Sequence, residues 1–160
     1  MTAEEEMKLK AIGVVHSPFR EPNEVPRGKE LRECESQIEI YPWYEEGLKD
    51  VEGFSHLLVL YWMHRAKPAT LLPRPRFDHR KRGLFATRSP HRPNPLGLSL
   101  VRLVKVDKNI LRVKGLDAID QTPLIDIKPY IPRPEEQEKI KIGWLEGKIN
   151  LSRNHLKRRL

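Results

Sequence analysis

The sequence predicts a mainly β protein whose short strands form a barrel or a curled sheet. About five to seven strand-like segments recur at regular spacing along the 160 residues, whereas helical periodicity is rare. The 14 prolines stiffen the loops between these segments and keep sheet edges short. The length suits one domain with a substantial core, although only 38% of the residues are apolar.

Predicted strands and one short helix alternate in the N-terminal half. Residues 10–16 (KAIGVVH) predict a first strand, and the charged segment 20–33, which contains prolines and a glycine, predicts a loop. Residues 35–41 alternate polar and apolar side chains, which is typical of a half-buried strand. Residues 42–51 suit a short helix, because proline is tolerated at the first helical position. Residues 57–63 are apolar on both faces and predict a central strand.

The C-terminal half contains the remaining strand patterns, which cover residues 84–87, 98–106, 110–116, 124–127 and 140–145. The second and third of these form the clearest hairpin, because Asp107, Lys108 and Asn109 between them are good turn residues. Residues 67–82 are rich in proline and basic side chains. The basic segment 151–160 (LSRNHLKRRL) is expected to be a short helix or a frayed tail.

The charge balance favours a polyanionic partner. Thirty Lys and Arg residues against 22 Asp and Glu give a formal charge of +8 and a pI near 9.7. Such a balance suits nucleic acid or an acidic membrane surface, although many small proteins are basic without any such partner. The single cysteine, Cys34, excludes an internal disulfide and favours a reducing compartment. The longest apolar run is too short to span a bilayer and the N-terminus is acidic, so we expect a soluble cytoplasmic protein.

Several common enzyme signatures are missing from the sequence. It contains no Gly-rich dinucleotide fingerprint, no P-loop, no HExxH and no G-x-S-x-G motif. The six histidines are scattered, and no pair has the spacing of metal ligands on a helix, so we expect no metal site.

Residues 85–97, FATRSPHRPNPLG, form a stiff basic turn between two apolar stretches. Its three prolines fix φ and remove backbone donors, so the segment is neither helical nor part of a central strand. A loop that is already stiff loses little entropy on binding a ligand. Arg88 and Arg92 are suited to a carboxylate or a phosphate, and Asn94 to an amide or a base edge. The alternative is a purely structural crossover with surface arginines.

Three further segments carry candidate site residues. His64 and Arg65 follow the predicted central strand, where a barrel presents polar side chains at its rim, unless they are an ordinary solvated strand end. Asp126 lies between two isoleucines and is expected to face away from the core, where the alternative is a capping or salt-bridging role. Residues 74–82 (RPRFDHRKR) have the composition of a nucleic-acid contact or of solvated loop charge. The predicted nucleic-acid-binding residues are Arg74, Arg76, Arg80, Lys81, Arg82 and Arg92.

Five motifs occur in the same order as in the TsaA-like family, and the chain resembles that family over about residues 10–132. They are IGVVHSPF (12–19), VPRG (25–28), EGFSHLLVLYWMH (52–64), GLFATRSPHRPNPLGLSLV (83–101) and LDAIDQTPLIDIKPYIP (116–132). The resemblance implies a single-sheeted β-barrel with few short helices. It also implies a homodimer that binds S-adenosylmethionine near the subunit interface. The implied activity is tRNA methylation at N6 of N6-threonylcarbamoyladenosine, beside the anticodon.

The resemblance also implies where the cofactor binds and how the chain is divided. The predicted cofactor-binding residues are Gly28, Lys29, Glu30, Leu31, His64, Arg65, Arg88, Leu98, Leu116 and Asp117. Gly28 is a departure, because the family commonly has Gln after VPR. Residues 1–135 correspond to the TsaA-like barrel domain, and residues 136–160 to a C-terminal strand and basic tail of the same domain. Longer members carry a further C-terminal domain, so the basic segments 74–82 and 153–159 are expected to contact tRNA here.

Predicted catalytic roles follow from the methyl-transfer chemistry. Arg88 is expected to bind the carboxylate of the cofactor or of the threonyl group, and Asn94 to contact the substrate base. His64 or Asp126 is expected to accept the proton from nitrogen, unless positioning alone supplies the rate. Two other functions are compatible with the sequence. The chain could be a non-catalytic RNA-binding barrel, or a methyltransferase with a different acceptor.

Overall fold

The computed structural model describes residues 6–132 and 141–149, which belong to two compact units. The first unit contains the described residues up to Thr70 together with Pro90–Ile131. The second contains Leu71–Ser89, Pro132 and residues 141–149. The domain boundary predicted near residue 135 lies outside the described residues.

The first unit is a closed antiparallel β-barrel. Its strands are β1 (Gly13–His16), β2 (Glu35–Ile40), β3 (His56–Trp62), β4 (Leu96–Asp107), β5 (Ile110–Lys114) and β6 (Thr122–Pro129). They follow the order β1-β2-β5-β4-β3-β6, and β6 pairs with both β3 and β1, which closes the sheet. The predicted mainly β fold and single-sheeted barrel are confirmed. The predicted hairpin is also confirmed, since β4 and β5 pair from Asp107 and Ile110 onwards.

The core consists of the inward-facing apolar side chains of the barrel. Because side chains alternate across a strand, every second residue of each strand points inward. The fully buried members are Val15, Ile38, Leu57, Val59, Val101, Leu111, Val113, Leu116 and Leu124. Each of these side chains stabilises the fold by roughly 1.5–3 kcal/mol relative to an exposed position. The barrel interior is therefore filled with side chains, and any ligand site lies on its rim or its outer wall.

The pairing of β1 with β2 requires a glycine. A Cβ built on Gly13 would lie 2.1 Å from the backbone oxygen of Glu39, a distance that no real Cβ contact shows. Because the opposing atom belongs to the backbone, the clash could not be relieved by a rotamer change. The glycine in the KAIGVVH segment therefore allows the close approach of two strands.

Outside the strands, the described residues form one α-helix and several 3₁₀ turns. The helix, α1, covers Gly28–Glu33, so the loop predicted over residues 20–33 contains a helix at its end. The 3₁₀ turns cover Pro42–Leu48, Val51–Gly53, Leu84–Ala86 and Gly143–Leu145. The first confirms the short helix predicted after β2, although in the tighter 3₁₀ form. No described helix is long and apolar enough to cross a membrane.

Two predicted strands are wrong. Leu84–Ala86 form a 3₁₀ turn, in which Leu84 is buried and Phe85 is 79% exposed, so this segment is not a strand. Gly143–Leu145 form another 3₁₀ turn, and Gly143 has a φ of +57°, which an extended strand does not allow. The helix or tail predicted over residues 151–160 lies outside the described residues.

Candidate functional site

One end of the barrel brings together most of the predicted site residues. Three strands end here, namely β1 at His16, β3 at Trp62 and β5 at Lys114. The other three begin here, namely β2 at Glu35, β4 at Leu96 and β6 at Thr122. We call it the site end. Helix α1 precedes β2, His64 and Arg65 follow β3, Asn94 precedes β4, and Leu116 and Asp117 follow β5. Predicted residues that are up to about 90 positions apart in the chain therefore cluster because the strands are antiparallel.

The proline turn packs against the segment that follows β3. The Met63 N–H donates to the Pro95 oxygen at 2.8 Å. The Lys67 N–H donates to Nδ1 of His91 at 3.0 Å, and the Thr70 N–H donates to the His91 oxygen at 3.2 Å. These bonds fix residues 90–95 beside the strand end that carries His64. The stiffness predicted from the prolines is thus supplemented by three hydrogen bonds to the neighbouring segment.

His64 has an unsatisfied buried nitrogen. Its Nδ1 is buried and has no hydrogen-bond partner among residues 6–132 and 141–149. A buried polar atom without a partner costs stability unless a ligand, ion or water satisfies it. The residue lies directly after β3, so its side chain is held at the site end. This atom is therefore a candidate hydrogen-bonding group for a ligand bound at the site end.

Arg65 is already engaged in an ion pair. Its Nη1 donates to Oε1 of Glu21 at 2.6 Å and to the Arg20 oxygen at 3.3 Å. Both partner side chains are more than half exposed. Exposed pairs of this kind contribute little to stability, so a ligand carboxylate could replace Glu21 at little cost. The pair also links the strand end to the segment that leads into α1.

The loop before α1 is braced by Glu24. Its carboxylate accepts hydrogen bonds from the backbone N–H groups of Arg20 and Glu21. These two bonds lower the pKa of Glu24. The predicted cofactor residues that follow are three exposed positions, Gly28, Lys29 and Glu30, and the half-buried Leu31. Gly28 has a φ of +58°, a left-handed conformation that suits glycine better than the Gln common in the family.

Asp117 is held by two buried hydroxyls. The Tyr61 hydroxyl donates to Oδ1 of Asp117 at 2.8 Å, and the Ser99 hydroxyl donates a short hydrogen bond to the same oxygen. Tyr61 and Ser99 are both buried, whereas Asp117 is exposed. Burial and the negative charge of Asp117 raise the pKa of Tyr61 far above its ordinary value. The phenol therefore remains protonated and keeps donating to the carboxylate.

Gly97 makes room for the Tyr61 ring. Tyr61 and Gly97 are directly paired across β3 and β4. A Cβ on Gly97 would lie 2.2 Å from two atoms of the Tyr61 ring. The Tyr61 ring therefore lies against the backbone of β4 at Gly97, and its hydroxyl reaches Asp117. The glycine of the NPLG motif thus has a packing role beneath the candidate site.

The other predicted barrel residues occupy different surroundings. The Leu116 side chain belongs to the hydrophobic core, so only its backbone could contact a ligand. Leu98 lies on the outer wall of β4 and is 65% exposed. Asp126 is also on the wall, where it binds Lys128 at 2.7 Å and accepts from the Ile127 N–H at 2.9 Å. Ile127 packs against the core, as predicted, and Leu60 separates Asp126 from Leu98 in the sheet.

The second unit contains Arg88 and the basic segment. Arg88 is exposed and follows the 3₁₀ turn Leu84–Ala86. This turn is anchored by Trp144, whose indole N–H donates to the Ala86 oxygen at 2.8 Å. The Thr87 hydroxyl closes it further by donating to the Leu84 oxygen at 2.8 Å. Residues close to Arg88 in the sequence are therefore well fixed.

The basic side chains of the second unit fall into two groups. Arg74, Arg76, Arg80 and Lys81 are exposed. Arg82 instead binds the carboxylate of Asp78, which also binds Lys148 at 2.8 Å. Lys148 and Arg82 lower the pKa of Asp78 well below its usual range, and both cations lie over the Trp144 ring. Arg82 thus differs from the other predicted nucleic-acid residues, since it stabilises the unit internally.

The sequence did not single out Tyr61 and Ser99, which hold Asp117, or Trp144, which anchors the turn before Arg88. Tyr61 has one available signal, a hydroxyl at the inward end of an otherwise apolar strand face. Ser99 likewise interrupts the inward face of β4 between Gly97 and Val101. Trp144 lies 58 residues from its partner Ala86, and no local pattern predicts that contact. Long-range pairing of this kind is set by the fold.

Residues 14–136 match the family model described as the tRNA-methyltransferase O N-terminal domain. The chain belongs to this family. An S-adenosyl-L-methionine-binding protein from Archaeoglobus fulgidus is 46% identical over 126 residues, which cover 79% of this chain and 91% of that protein. The tRNA (adenine(37)-N6)-methyltransferase of Escherichia coli is 38% identical over 139 residues, covering 80% of this chain and 59% of the enzyme.

A solved member of the tRNA-methyltransferase O family has the same fold. The crystal structure of TrmO from Pseudomonas aeruginosa superposes with a TM-score of 0.72 at 32% sequence identity. The match covers 87% of this chain and 62% of that chain. The human tRNA (adenine(37)-N6)-methyltransferase is longer still, and this chain covers 31% of it. The chain thus spans the N-terminal part of the longer tRNA-methyltransferase O relatives, and the TsaA-like resemblance is confirmed.

Proposed function

We propose that this chain binds S-adenosyl-L-methionine at the site end of the barrel and methylates N6 of an adenosine in tRNA. The observation that carries the proposal is that the oriented Asp117 carboxylate and the unsatisfied Nδ1 of His64 lie at the same end of the barrel. Both residues lie in motifs that the chain shares with its family. Relatives named as S-adenosyl-L-methionine-binding proteins and as tRNA (adenine(37)-N6)-methyltransferases support both parts of the proposal.

The residues at the site end fit this cofactor in charge and chemistry. The cofactor is cationic at sulfur and carries an ammonium group and two ribose hydroxyls, all complementary to a carboxylate such as Asp117. Nδ1 of His64 is a buried polar atom without a partner, as expected where a ligand completes the hydrogen bonding. Leu98 offers an exposed apolar surface to the adenosine. By the family resemblance, Arg88 remains our candidate for the cofactor carboxylate.

Bound S-adenosylmethionine supplies an electrophilic methyl group, and the protein has to align the nucleophilic nitrogen with it. His64 is the better candidate for the proton acceptor, because it lies at the site end with a free buried nitrogen. Asp126 is the weaker candidate, because its carboxylate binds Lys128 on the outer wall. Asn94 is exposed in the turn beside the His64 segment, where a side-chain amide is suited to a base edge.

The proposed substrate is N6-threonylcarbamoyladenosine beside the anticodon. Its support is the close agreement of the ATRSPHRPNPLG and LDAIDQTPLIDIKPY segments with the TsaA-like family. The exposed cations Arg74, Arg76, Arg80 and Lys81 suit the phosphates of tRNA. Arg92, at the proline turn, is a further candidate for such a contact. Action on tRNA is consistent with a cytoplasmic protein, and we propose that location.

We further propose that the chain forms a homodimer through the outer wall of β3 and β4. This wall carries three exposed apolar side chains, Trp62 (47% exposed), Leu98 (65%) and Leu100 (49%). They lie next to the half-buried Leu58 and Leu60. A continuous apolar surface of this kind marks an interaction site in soluble proteins. A second copy of the chain is the occupant that the family resemblance implies. Leu98 belongs both to this wall and to the predicted cofactor residues, which supports a cofactor site near the subunit interface.

The function is tested with the purified chain. We expect calorimetry to detect S-adenosylmethionine binding, and Arg88→Ala to weaken it about tenfold, as for the loss of one charged hydrogen bond. Arg74→Ala, which removes an exposed arginine from the same unit, is the matched control and should bind normally. Incubation with tRNA that carries unmethylated N6-threonylcarbamoyladenosine should yield its N6-methyl derivative by mass spectrometry. Intact tRNA binding without cofactor binding would instead identify a non-catalytic RNA-binding barrel.

A further inference from the structure

We infer that Tyr61 and Ser99 are positioning residues that orient Asp117 and leave one of its carboxylate oxygens for a hydrogen-bond donor of the cofactor. The inference rests on the proposed function. Its basis is the convergence of two buried hydroxyls on a single oxygen of an otherwise exposed aspartate. The nearest residue in sequence is Ser99, 18 positions from Asp117, and Tyr61 is 56 positions away. The contact is therefore a product of the fold and not of a local turn.

The hydroxyl protons both point to Oδ1 of Asp117. Tyr61 and Ser99 each have one proton to donate, and each lies within donating distance of that oxygen. The remaining contact in the cluster, between the two hydroxyl oxygens, is longer, at 3.3 Å. Asp117 therefore has one carboxylate oxygen whose position is fixed by two hydroxyl groups.

The framework around the cluster is rigid. Tyr61 and Ser99 occupy inward positions on the paired strands β3 and β4, and the Tyr61 ring lies against Gly97. The residues on either side of Asp117, Leu116 and Ala118, are both buried, so its backbone is held as well. Such support from a surrounding shell is what keeps a binding group in a productive geometry.

The second oxygen of Asp117, Oδ2, is left for a ligand. Within the part of the chain that the structure describes, no hydrogen bond or ion pair involves Oδ2, and the residue is exposed. An ionised carboxylate oxygen only accepts hydrogen bonds, so its partner has to be a donor. S-adenosylmethionine has two kinds of donor that suit a carboxylate, the ribose hydroxyls and the methionine ammonium. Either would gain from an acceptor whose position is fixed in advance.

Calorimetry on five chains tests the inference, with S-adenosylmethionine and 5′-methylthioadenosine as probes. The chains are the wild type, the single variants Tyr61→Phe, Ser99→Ala and Asp117→Asn, and the double variant that combines Tyr61→Phe with Asp117→Asn. Tyr61→Phe keeps the ring against Gly97 and removes only the hydroxyl. We expect each hydroxyl variant to bind S-adenosylmethionine about tenfold more weakly than the wild type, the loss corresponding to one charged hydrogen bond. In the Asp117→Asn background, Tyr61→Phe should cause little further loss, because the residue acts through Asp117.

The probes separate the two donors. 5′-Methylthioadenosine has the ribose but no ammonium, so its affinity falls in Asp117→Asn if Oδ2 binds the ribose and is unchanged if Oδ2 binds the ammonium. Affinities for S-adenosylmethionine that match the wild type in both hydroxyl variants overturn the inference alone. A loss of equal size with and without Asp117 also overturns it, because the hydroxyls would then act through stability. A wild-type chain that binds neither probe overturns the proposed function and the inference together.

Discussion

Tyr61 shapes the barrel wall because its ring lies against the backbone of the opposite strand. The paired residue, Gly97, has no side chain, and this absence allows the ring to cross β4 and reach Asp117. The same glycine lies two residues before Ser99, which completes the cluster. A single small residue thus determines both the packing of β3 on β4 and the direction of a candidate ligand group.

Gly97→Ala is expected to destabilise the barrel. The new methyl group would lie 2.2 Å from two Tyr61 ring atoms, so the ring has to move or the strands have to separate. Overpacking of a well-packed site typically costs about 1–3 kcal/mol of the free energy of unfolding. Urea denaturation followed by circular dichroism measures this cost.

Gly47→Ala is the matched control for Gly97→Ala. Nothing lies within 4 Å of a Cβ at Gly47, so this substitution should leave stability unchanged or slightly increased. Equal unfolding midpoints for the Gly97→Ala and Gly47→Ala chains would show that the packing of the Tyr61 ring does not require a glycine at position 97.

Among single residues, the sequence singled out Asp117 and His64 at the candidate site but not Tyr61 and Ser99, which contact Asp117. Asp117 and His64 lie in motifs that resemble a known family, and both are found at the site end. Tyr61 carries only a weak signal in the sequence, because a tyrosine in an apolar strand is equally compatible with a simple core position. Its partner Asp117 is 56 residues away, and only the closed sheet brings the two together.

Two elements of the second unit, Leu71–Ser89 and residues 141–149, are joined by a cluster centred on Asp78. Arg82 and Lys148 bind its carboxylate and lie over the Trp144 ring. These cations satisfy a charge within the unit, whereas Arg80 and Lys81 are exposed beside them in the sequence. The basic segment therefore combines an internal ion-pair cluster with outward charges that are available to a polyanion.

Replacing Arg80 and Lys81 by Gln should weaken tRNA binding without changing cofactor binding. The binding constant for tRNA falls as salt rises, and each phosphate contact adds about 0.7–0.9 to the steepness of log K against log salt. The double variant should therefore flatten this dependence by about 1.5. Fluorescence anisotropy with labelled tRNA at several salt concentrations measures the slope.

The matched control for the Arg80 and Lys81 variant removes two exposed lysines, Lys49 and Lys105, from the end of the barrel opposite the site end. This control loses the same net charge and should retain the parent slope. If both double variants flatten the salt dependence equally, general charge and not the basic segment attracts tRNA. Arg82→Gln should instead lower thermal stability, since it removes a partner of Asp78.

Elements were predicted well where side chains alternate and poorly where a short apolar run lacks a partner. The β4–β5 hairpin was predicted because its turn residues and alternation agree, and the structure confirms it. Residues 84–87 were predicted as a strand from composition alone, but Leu84–Ala86 form a 3₁₀ turn, in which the Ala86 N–H donates to the Gly83 oxygen and the Thr87 N–H to the Leu84 oxygen. Helix α1 was missed because its six residues are too few to show helical periodicity.

At the scale of the whole molecule, the outer wall of the barrel is as informative as its core. The core explains why the six strands close, since their inward side chains fill the interior. It does not explain why β3 and β4 also carry apolar side chains on the outside. Residues 57–63 were predicted as a central strand, and β3 is indeed flanked by β4 and β6. Its outer face is nevertheless partly exposed, and this apolar surface is the one that the proposed homodimer would cover.

Leu100→Asp is expected to convert the proposed homodimer into a monomer. Leu100 lies within the apolar wall and is not among the predicted cofactor residues. A charge placed in an apolar interface loses its hydration without gaining a partner, so dissociation should increase at least about a hundredfold. Sedimentation velocity over a range of protein concentrations measures the change.

Leu72→Asp, which introduces the same charge at an exposed leucine of the second unit, is the control and should leave the dimer intact. A parent chain that sediments as a monomer at high micromolar concentration, or a Leu100→Asp chain that remains dimeric, would contradict the proposed interface. If the cofactor lies near that interface, the monomeric variant should also bind S-adenosylmethionine more weakly, although Leu100 is not among the predicted cofactor-binding residues.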